Sequence, residues 1–246
     1  MTHWLQPTLP VTLADDEVHV WSLGLEVDLA LESRFLQVLN ETELTRAKRF
    51  YRRQDQMHFA VARGVLRSLL GHYLAMPAKS VEFSYLSQGK PALVNNALQF
   101  NVSHSHGQAL FAFSLDRRLG VDLEQQDRRV EWSSLSQRFF SKQEHAAILS
   151  CDPDDQKNAF FRCWTRKEAY VKAHGDGLMR GLESFDVSVG VDAALLNDAE
   201  FPEETQRWGM ASIDMGSLGF KAALAYERQM NDANVCCWKT SVVSVL

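Results

Sequence analysis

The sequence predicts an α+β fold made of two halves of similar size. Three observations predict it. The chain has 246 residues, 46% hydrophobic and 23% charged, which is ordinary globular composition with ample material for a core. Segments of helical period precede short runs rich in β-formers. That order then occurs a second time, with the join near Asp116–Asp127, dividing the chain into residues 1–116 and 117–246.

In chain order, Val18–Val27 is rich in β-branched and aromatic residues and opens the first half as a strand. Asn40 stands three residues before Glu43, a capping-box start for a helix. From there to Leu74, Phe59, Val65, Leu66, Leu69, Leu70 and Tyr73 keep helical spacing. After Pro77 come four short β-type runs: Val81–Leu86, Leu98–Val102, Ala109–Leu115 and Leu119–Glu124. Gly89, Pro91, Asn95, Asn96 and Gly107 punctuate them as turns. The second half opens with Ser141 and Glu144, another capping box, for a helix through Leu149. Asp152–Asp155, DPDD, breaks it and starts the next helix, which Gly175 closes. Strand-like runs follow at Phe185–Val191, Met210–Asp214, Phe220–Glu227 and Val235–Val243.

The net charge is −5, which disfavours nucleic acid as a partner, since a duplex needs a basic surface. Cys151, Cys163, Cys236 and Cys237 form no CxxC pair, so neither a zinc site nor a disulfide framework is expected. The N-terminus lacks the pattern of a signal peptide, and no apolar run approaches the roughly 20 residues a membrane helix needs. The expectation is a cytoplasmic chain with reduced thiols and no membrane partner.

The chemistry-bearing stretches are four. In Phe160–Lys172, FFRCWTRKEAYVK, the side chains of Trp164, Glu168 and Lys172 recur every four residues and stack on one helix face. Alone, the Glu168–Lys172 spacing also fits a surface ion pair worth roughly 0.2–0.5 kcal/mol, and Trp164 fits the core. In Leu119–Glu124, LGVDLE, Asp122 and Glu124 share one strand face opposite Val121 and Leu123. Paired carboxylates there suit Mg²⁺, which takes one or two carboxylates and completes its shell with water or phosphate; two solvated acids at a strand end are the plainer alternative. Phe100–Gly107, FNVSHSHG, sets Ser103 and His104 at a strand end able to donate to phosphate. The His104-x-His106 pair lacks further Cys or His at metal-ligand spacing, so zinc is set aside. Gln88–Pro91, QGKP, presents Lys90 beside a glycine turn. Upstream, TRAKRFYRR packs Arg46, Lys48, Arg49, Arg52 and Arg53 into nine residues, either a phosphate-binding patch or a solvated helix face.

Together, RAKRFYRRQD, QGKP, FNVSHS, LGVDLE, RFFSKQE and FFRCWTRKEAYVKAHGDGL resemble the 4′-phosphopantetheinyl transferases of the larger, surfactin-synthetase-activating type. The likeness runs from Arg46 to Leu178 in the family's order. GVDLE with W-x-x-K-E-A-x-x-K is its most specific part; the C-terminal third matches only as a strand pattern. The resemblance implies two similar subdomains related by a pseudo-twofold axis, coenzyme A in the cleft between them, and a monomer. It implies transfer of 4′-phosphopantetheine from coenzyme A to a serine of an acyl or peptidyl carrier protein, the holo-[acyl-carrier-protein] synthase reaction, with adenosine 3′,5′-bisphosphate released. Carried over position by position, Asp122, Glu124 and Glu168 would hold Mg²⁺. Glu168 would take the serine proton and Lys172 would face the pyrophosphate. Arg46, Lys90, Ser103, His104, Asp122 and Lys172 would contact coenzyme A. Arg63 and Arg67 fit structural roles as readily as binding. His106 departs from the family, which often has a glycine soon after SHS. Two other readings use the same residues: a non-catalytic module that binds coenzyme A or a carrier on this fold, and a Mg²⁺-dependent nuclease or phosphatase.

Overall fold

Two sheets lie face to face, with a long helix on the outer side of each, and residue alternation along the strands explains the stacking. A computed structural model describes residues 2–245 other than 8, 10, 87, 95, 96, 127, 128, 176–179 and 231. Asn95, Asn96, Asp127 and the Gly177–Leu178 end of the last motif lie outside the described residues.

The first sheet has the order β1-β12-β2-β6-β5. Its members are β1 (Trp4–Leu5), β2 (Glu17–Gly24), β5 (Gln99–Ser105), β6 (Gln108–Ser114) and β12 (Asn234–Lys239). Trp21, Leu23, Phe111 and Phe113 point outward from it against Val61, Val65 and Leu69 of α3 (Arg53–Tyr73). Val18, Val20, Leu110 and Ala112 point the other way, onto Leu119, Val121, Leu123 and Leu224. Those belong to the second sheet, β10-β11-β7, with β7 (Leu119–Gln125), β10 (Trp208–Ile213) and β11 (Phe220–Glu227). Ala223 and Ala225, the alternate positions of β11, face α6 (Gln156–His174).

Both capping boxes form as the sequence predicts. Asn40 and Glu43 open α2 (Glu41–Lys48), and Ser141 and Glu144 open α5 (Lys142–Leu149). Gly175 closes α6 at φ 93°. The expected continuous helical region from Asn40 to Leu74 is broken: α2 ends at Lys48 and α3 begins at Arg53, so the basic run straddles a corner. Two amphipathic helices were not expected, α1 (Leu29–Val38) and α4 (Trp132–Phe139). Their patterns are about two to three turns long, too short to separate from loop by period alone.

Several strands are trimmed. Phe83–Tyr85 (β3) pairs with Pro91–Leu93 (β4) across the Gly89 turn, where φ is 79°. Phe185–Val187 (β8) pairs with Leu195–Asp198 (β9), followed by a short helix, α7 (Glu204–Arg207). The Val235–Val243 run ends as a strand at Lys239 and turns into a 3-10 segment, Val242–Val245. By sequence β12 belongs to 117–246, yet it is parallel to β2 within the first sheet. Cys237 on its inner face joins the inter-sheet core, which fixes it there rather than beside β11. No helix among the described residues is long and apolar enough to cross a membrane.

Candidate active site at the seam of the two sheets

Strand β7 is the edge of the second sheet, and an edge strand leaves alternate backbone groups without ladder partners. Here side chains satisfy them. Asn101 Oδ1 accepts from Val121 N at 2.9 Å, Ser103 Oγ from Leu123 N at 3.2 Å and Ser105 Oγ from Gln125 N at 3.4 Å. The three acceptors lie two residues apart on β5, matching the period of β7. The carbonyls on the same edge are met by two lysines. Lys90 Nζ donates to Leu119 O at 3.1 Å and Lys172 Nζ to Val121 O at 3.3 Å. Lys90 also donates to Lys172 O, at 2.6 Å, near the C-terminus of α6.

With its odd residues in the inter-sheet core, β7 turns Gly120, Asp122 and Glu124 toward α6. Contact there is so close that a Cβ on Gly120 would lie 2.2 Å from Ala169 O. That proximity sets the Asp122 and Glu124 side chains beside the Glu168–Lys172 face. Lys172 Nζ meets Asp122 Oδ1 at 2.6 Å and donates to Ser103 Oγ at 3.1 Å, while Ser103 Oγ donates to Asp122 Oδ1 at 3.1 Å. Glu124 Oε2 accepts from Ser105 Oγ at 3.3 Å. The Glu168 carboxyl is pushed above the usual carboxylate range, first by burial and then by Asp122 and Glu124; Lys172 opposes the shift. Two acids of β7 and an acid and a lysine of α6, about fifty residues apart in sequence, therefore form one cluster. Asp122 Oδ2 is buried there without a hydrogen-bond partner.

The remaining expected residues surround this cluster unevenly. His104 keeps much of its surface open. Packing around the ring nonetheless lowers its pKa, and the charge of Lys172 lowers it further, with His58 and Asp55 the other titratable neighbours. Burial, with the Arg118 charge beside it, draws Lys90 down to about 8. Arg46 stands apart on α2, exposed, with its guanidinium 5.4 Å from the Phe59 ring centre. It lines an open cavity of about 680 Å³ with Thr42, Thr45, Arg49 and Phe50. His106 forms the β5–β6 turn with Gly107, at φ 46° and 74°, so a side chain tolerated in the left-handed region stands where glycine is easier.

Other residues of the motifs hold the fold. Arg67 is 1% exposed and bonds Glu43 at 2.8 Å and Val81 O at 2.9 Å; Arg63 stacks on Phe83. Lys167, next to Glu168, is fully buried against Glu144 at 2.8 Å. Trp164 packs on Phe140 and Phe160. Asn101, Ser105 and Gly120 were not singled out from sequence. For Asn101 and Ser105 the signal was the run of polar residues at every second position of β5, Asn101-x-Ser103-x-Ser105.

Comparison with known proteins decides the family. The superfamily model "4′-phosphopantetheinyl transferase superfamily" matches residues 118–211, and "4′-phosphopantetheinyl transferase, N-terminal" matches residues 31–114. The 4′-phosphopantetheinyl transferase HetI of Nostoc sp. is 38% identical over 76% of this chain and 80% of its own length. This chain belongs to the 4′-phosphopantetheinyl transferase superfamily. The transferase is also similar to Sfp of Bacillus subtilis, 29% identical over 65% of this chain and 70% of that protein. AcpT of Escherichia coli is 40% identical over 44% of this chain and 55% of its own length. The likeness to Sfp and HetI assigns the transferase to the larger type. It is an enzyme whose substrate is coenzyme A, and the seam described above falls across the two matched regions.

Proposed function

We propose that this transferase moves 4′-phosphopantetheine from coenzyme A to a serine hydroxyl of an acyl or peptidyl carrier protein, releasing adenosine 3′,5′-bisphosphate. The observation that carries the reading is the convergence of Asp122, Glu168, Lys172 and Ser103 in one half-buried cluster. Such a reaction is governed by positioning and charge neutralisation rather than by covalent chemistry of the protein.

Asp122, Glu124 and Glu168 are the residues that would hold Mg²⁺. They fit it as hard oxygen donors: Asp122 Oδ2 is buried with no partner, and Glu168 is raised by burial first and then by repulsion from Asp122 and Glu124. Asp122 Oδ1 is drawn onto Lys172 at 2.6 Å. When bound, the ion would neutralise charge at the pyrophosphate.

Glu168 acts as the general base toward the carrier serine. A carboxyl group raised above its usual range is the stronger base. Lys172 donates toward the leaving phosphate, and its approach is fixed by Ser103 and Val121 O. Lys90, His104 and Arg46 supply the remaining contacts to the anionic coenzyme A. Arg46 acts from the α2 side, where a long ligand must extend. The reading carries with it subdomains 1–116 and 117–246 related by a pseudo-twofold axis, a monomer, and a cytoplasmic site of action.

The test is intact mass. The purified chain with Mg²⁺ and coenzyme A adds about 340 Da to a carrier domain. Glu168→Ala and Asp122→Ala abolish the gain while coenzyme A binding partly survives. Coenzyme A binding without any mass gain across a panel of carriers would point instead to a non-catalytic module.

A further inference from the structure

On the far side of the first sheet, three side chains of different chemistry meet. Glu17 and His19 lie two residues apart on one face of β2, and Cys236 on β12 is the direct parallel-strand partner of His19. His19 Nε2 is 3.1 Å from Glu17 Oε2, and Cys236 Sγ is 3.7 Å from Glu17 Oε1. Among the described residues this is the one group of three His, Cys, Asp or Glu whose ligand atoms all fall within 4.8 Å of one another. The spacing of 17, 19 and 236 hides it from any sequence motif.

A tetrahedral zinc with ordinary Zn–N, Zn–O and Zn–S lengths has an N···O edge of about 3.4 Å and an S···O edge of about 3.6 Å. The measured separations, 3.1 Å and 3.7 Å, are of that size but end on different oxygens of Glu17, so the carboxylate must turn to present one oxygen to an ion held by His19 and Cys236. The outer arrangement also fits. Tyr73 OH sits 2.7 Å from His19 Nδ1, and Trp21 Nε1 donates to the same hydroxyl at 2.8 Å. A ligating histidine needs such a partner on its second nitrogen to fix tautomer and ring orientation. His19 is 1% exposed, with the Trp238 ring edge-on at 5.7 Å; Glu17 and Cys236 are half-buried and leave an approach from solvent.

We propose that Glu17, His19 and Cys236 form a site for a borderline divalent cation of the zinc class, separate from the acidic pocket, with water in the fourth position. Thiolate and imidazole select zinc over magnesium, whereas the oxygen-only pocket at β7 selects the reverse. Binding releases one proton, that of the Cys236 thiol, and leaves the single imidazole proton on Nδ1 facing Tyr73. The bound ion is then neutral with its three ligands. It ties the last strand of the chain to the second, so it stabilises the seating of β12 in the first sheet.

The test uses the full chain, reduced, stripped with chelator and titrated with Co²⁺ in excess Mg²⁺. The expected result is one equivalent of cobalt with a thiolate-to-cobalt charge-transfer band and tetrahedral ligand-field bands, all removed by added Zn²⁺. Cys236→Ala loses the charge-transfer band and Cys151→Ala keeps it. Should Cys236→Ala fail to fold, Zn²⁺ must instead protect Cys236 of the unaltered chain from alkylation, mapped by peptide mass. No stoichiometric cobalt, cobalt bound without the thiolate band, a band that survives Cys236→Ala, or alkylation unaffected by Zn²⁺ would each overturn the proposal.

Discussion

Alanine at position 120 adds one methyl group where β7 lies against α6. Its Cβ would stand 2.2 Å from Ala169 O, 2.4 Å from Ala173 N and 2.9 Å from Lys172 C, all inside the 3.0 Å that real Cβ contacts respect. Each of these atoms is helix backbone, so none can rotate away. Strand and helix must therefore separate by about 1 Å, and the cost sits at the upper end of overpacking, about 3 kcal/mol. For a chain of this size that corresponds to a fall in Tm of about 6–12 °C. Activity should fall further than stability. The separation moves Asp122 and Glu124 away from Glu168 and Lys172, and a 1 Å misplacement in a reacting constellation costs about a hundredfold in rate. The assay pairs urea unfolding with carrier modification measured well below the melting temperature. Gly190→Ala is the control, since a Cβ there meets nothing within 4 Å; it should stay within about 0.5 kcal/mol of the parent. A Gly120→Ala protein as stable and as active as that control would refute the claim that close strand–helix approach builds the site.

Glu144→Ala should cost about 3–5 kcal/mol in denaturant unfolding, because it leaves the fully buried Lys167 without its counter-charge and Val187 N without its acceptor; a loss under about 1 kcal/mol would mean that the carbonyls of Leu182 and Phe185, which also accept from Lys167, suffice. Ser103→Ala should destabilise by about 1–3 kcal/mol through the stranded Leu123 N–H and slow transfer as well, measured by the same two assays. Unchanged transfer would remove Ser103 from the site. The affinity for coenzyme A, measured calorimetrically, should weaken as pH rises through about 8, where Lys90 loses its charge, and Lys90→Met should flatten that profile. The sign for stability is opposite. The unfolded chain holds this proton up to about 10.5, so Lys90 contributes stability that rises with pH between those values. An affinity profile unaffected by Lys90→Met would exclude it from coenzyme A binding.

Much of the architecture was legible because it rests on local rules. Asn40/Glu43 and Ser141/Glu144 placed two helix starts to the residue, and Gly175 placed an end. The alternation in Leu119–Glu124 told correctly which side carries the acids, since a strand has only two faces. What stayed hidden was long-range. Nothing local says that β12 crosses to the first sheet, because parallel pairing between residues 17 and 234 depends on the rest of the chain having folded. The corner at Arg49–Arg52 was hidden for another reason. Arginine and lysine continue a helix as readily as they leave one, so composition gave no stop signal. At the site, the GVDLE and W-x-x-K-E-A-x-x-K stretches marked Asp122, Glu124, Glu168 and Lys172. Ser103 was marked as a phosphate donor, but its companions Asn101 and Ser105 on β5 were not, because serine and asparagine on a strand look like weak β-formers until their partners are known. Lys167 shows the converse, a motif residue occupied with packing while its neighbour Glu168 faces the pocket.

The side-chain capping of β7 makes that one strand report on two separate events. The amides of Val121, Leu123 and Gln125 are held only by Asn101, Ser103 and Ser105, while the alternate amides are turned toward β11. Hydrogen exchange along seven consecutive residues should therefore show two interleaved rates. The odd-numbered amides would follow loosening between the layers, and the even-numbered amides would follow opening of the second sheet itself. A ligand that wedges into the pocket would alter the first set and leave the second alone, so occupancy could be read from a backbone that the ligand never touches.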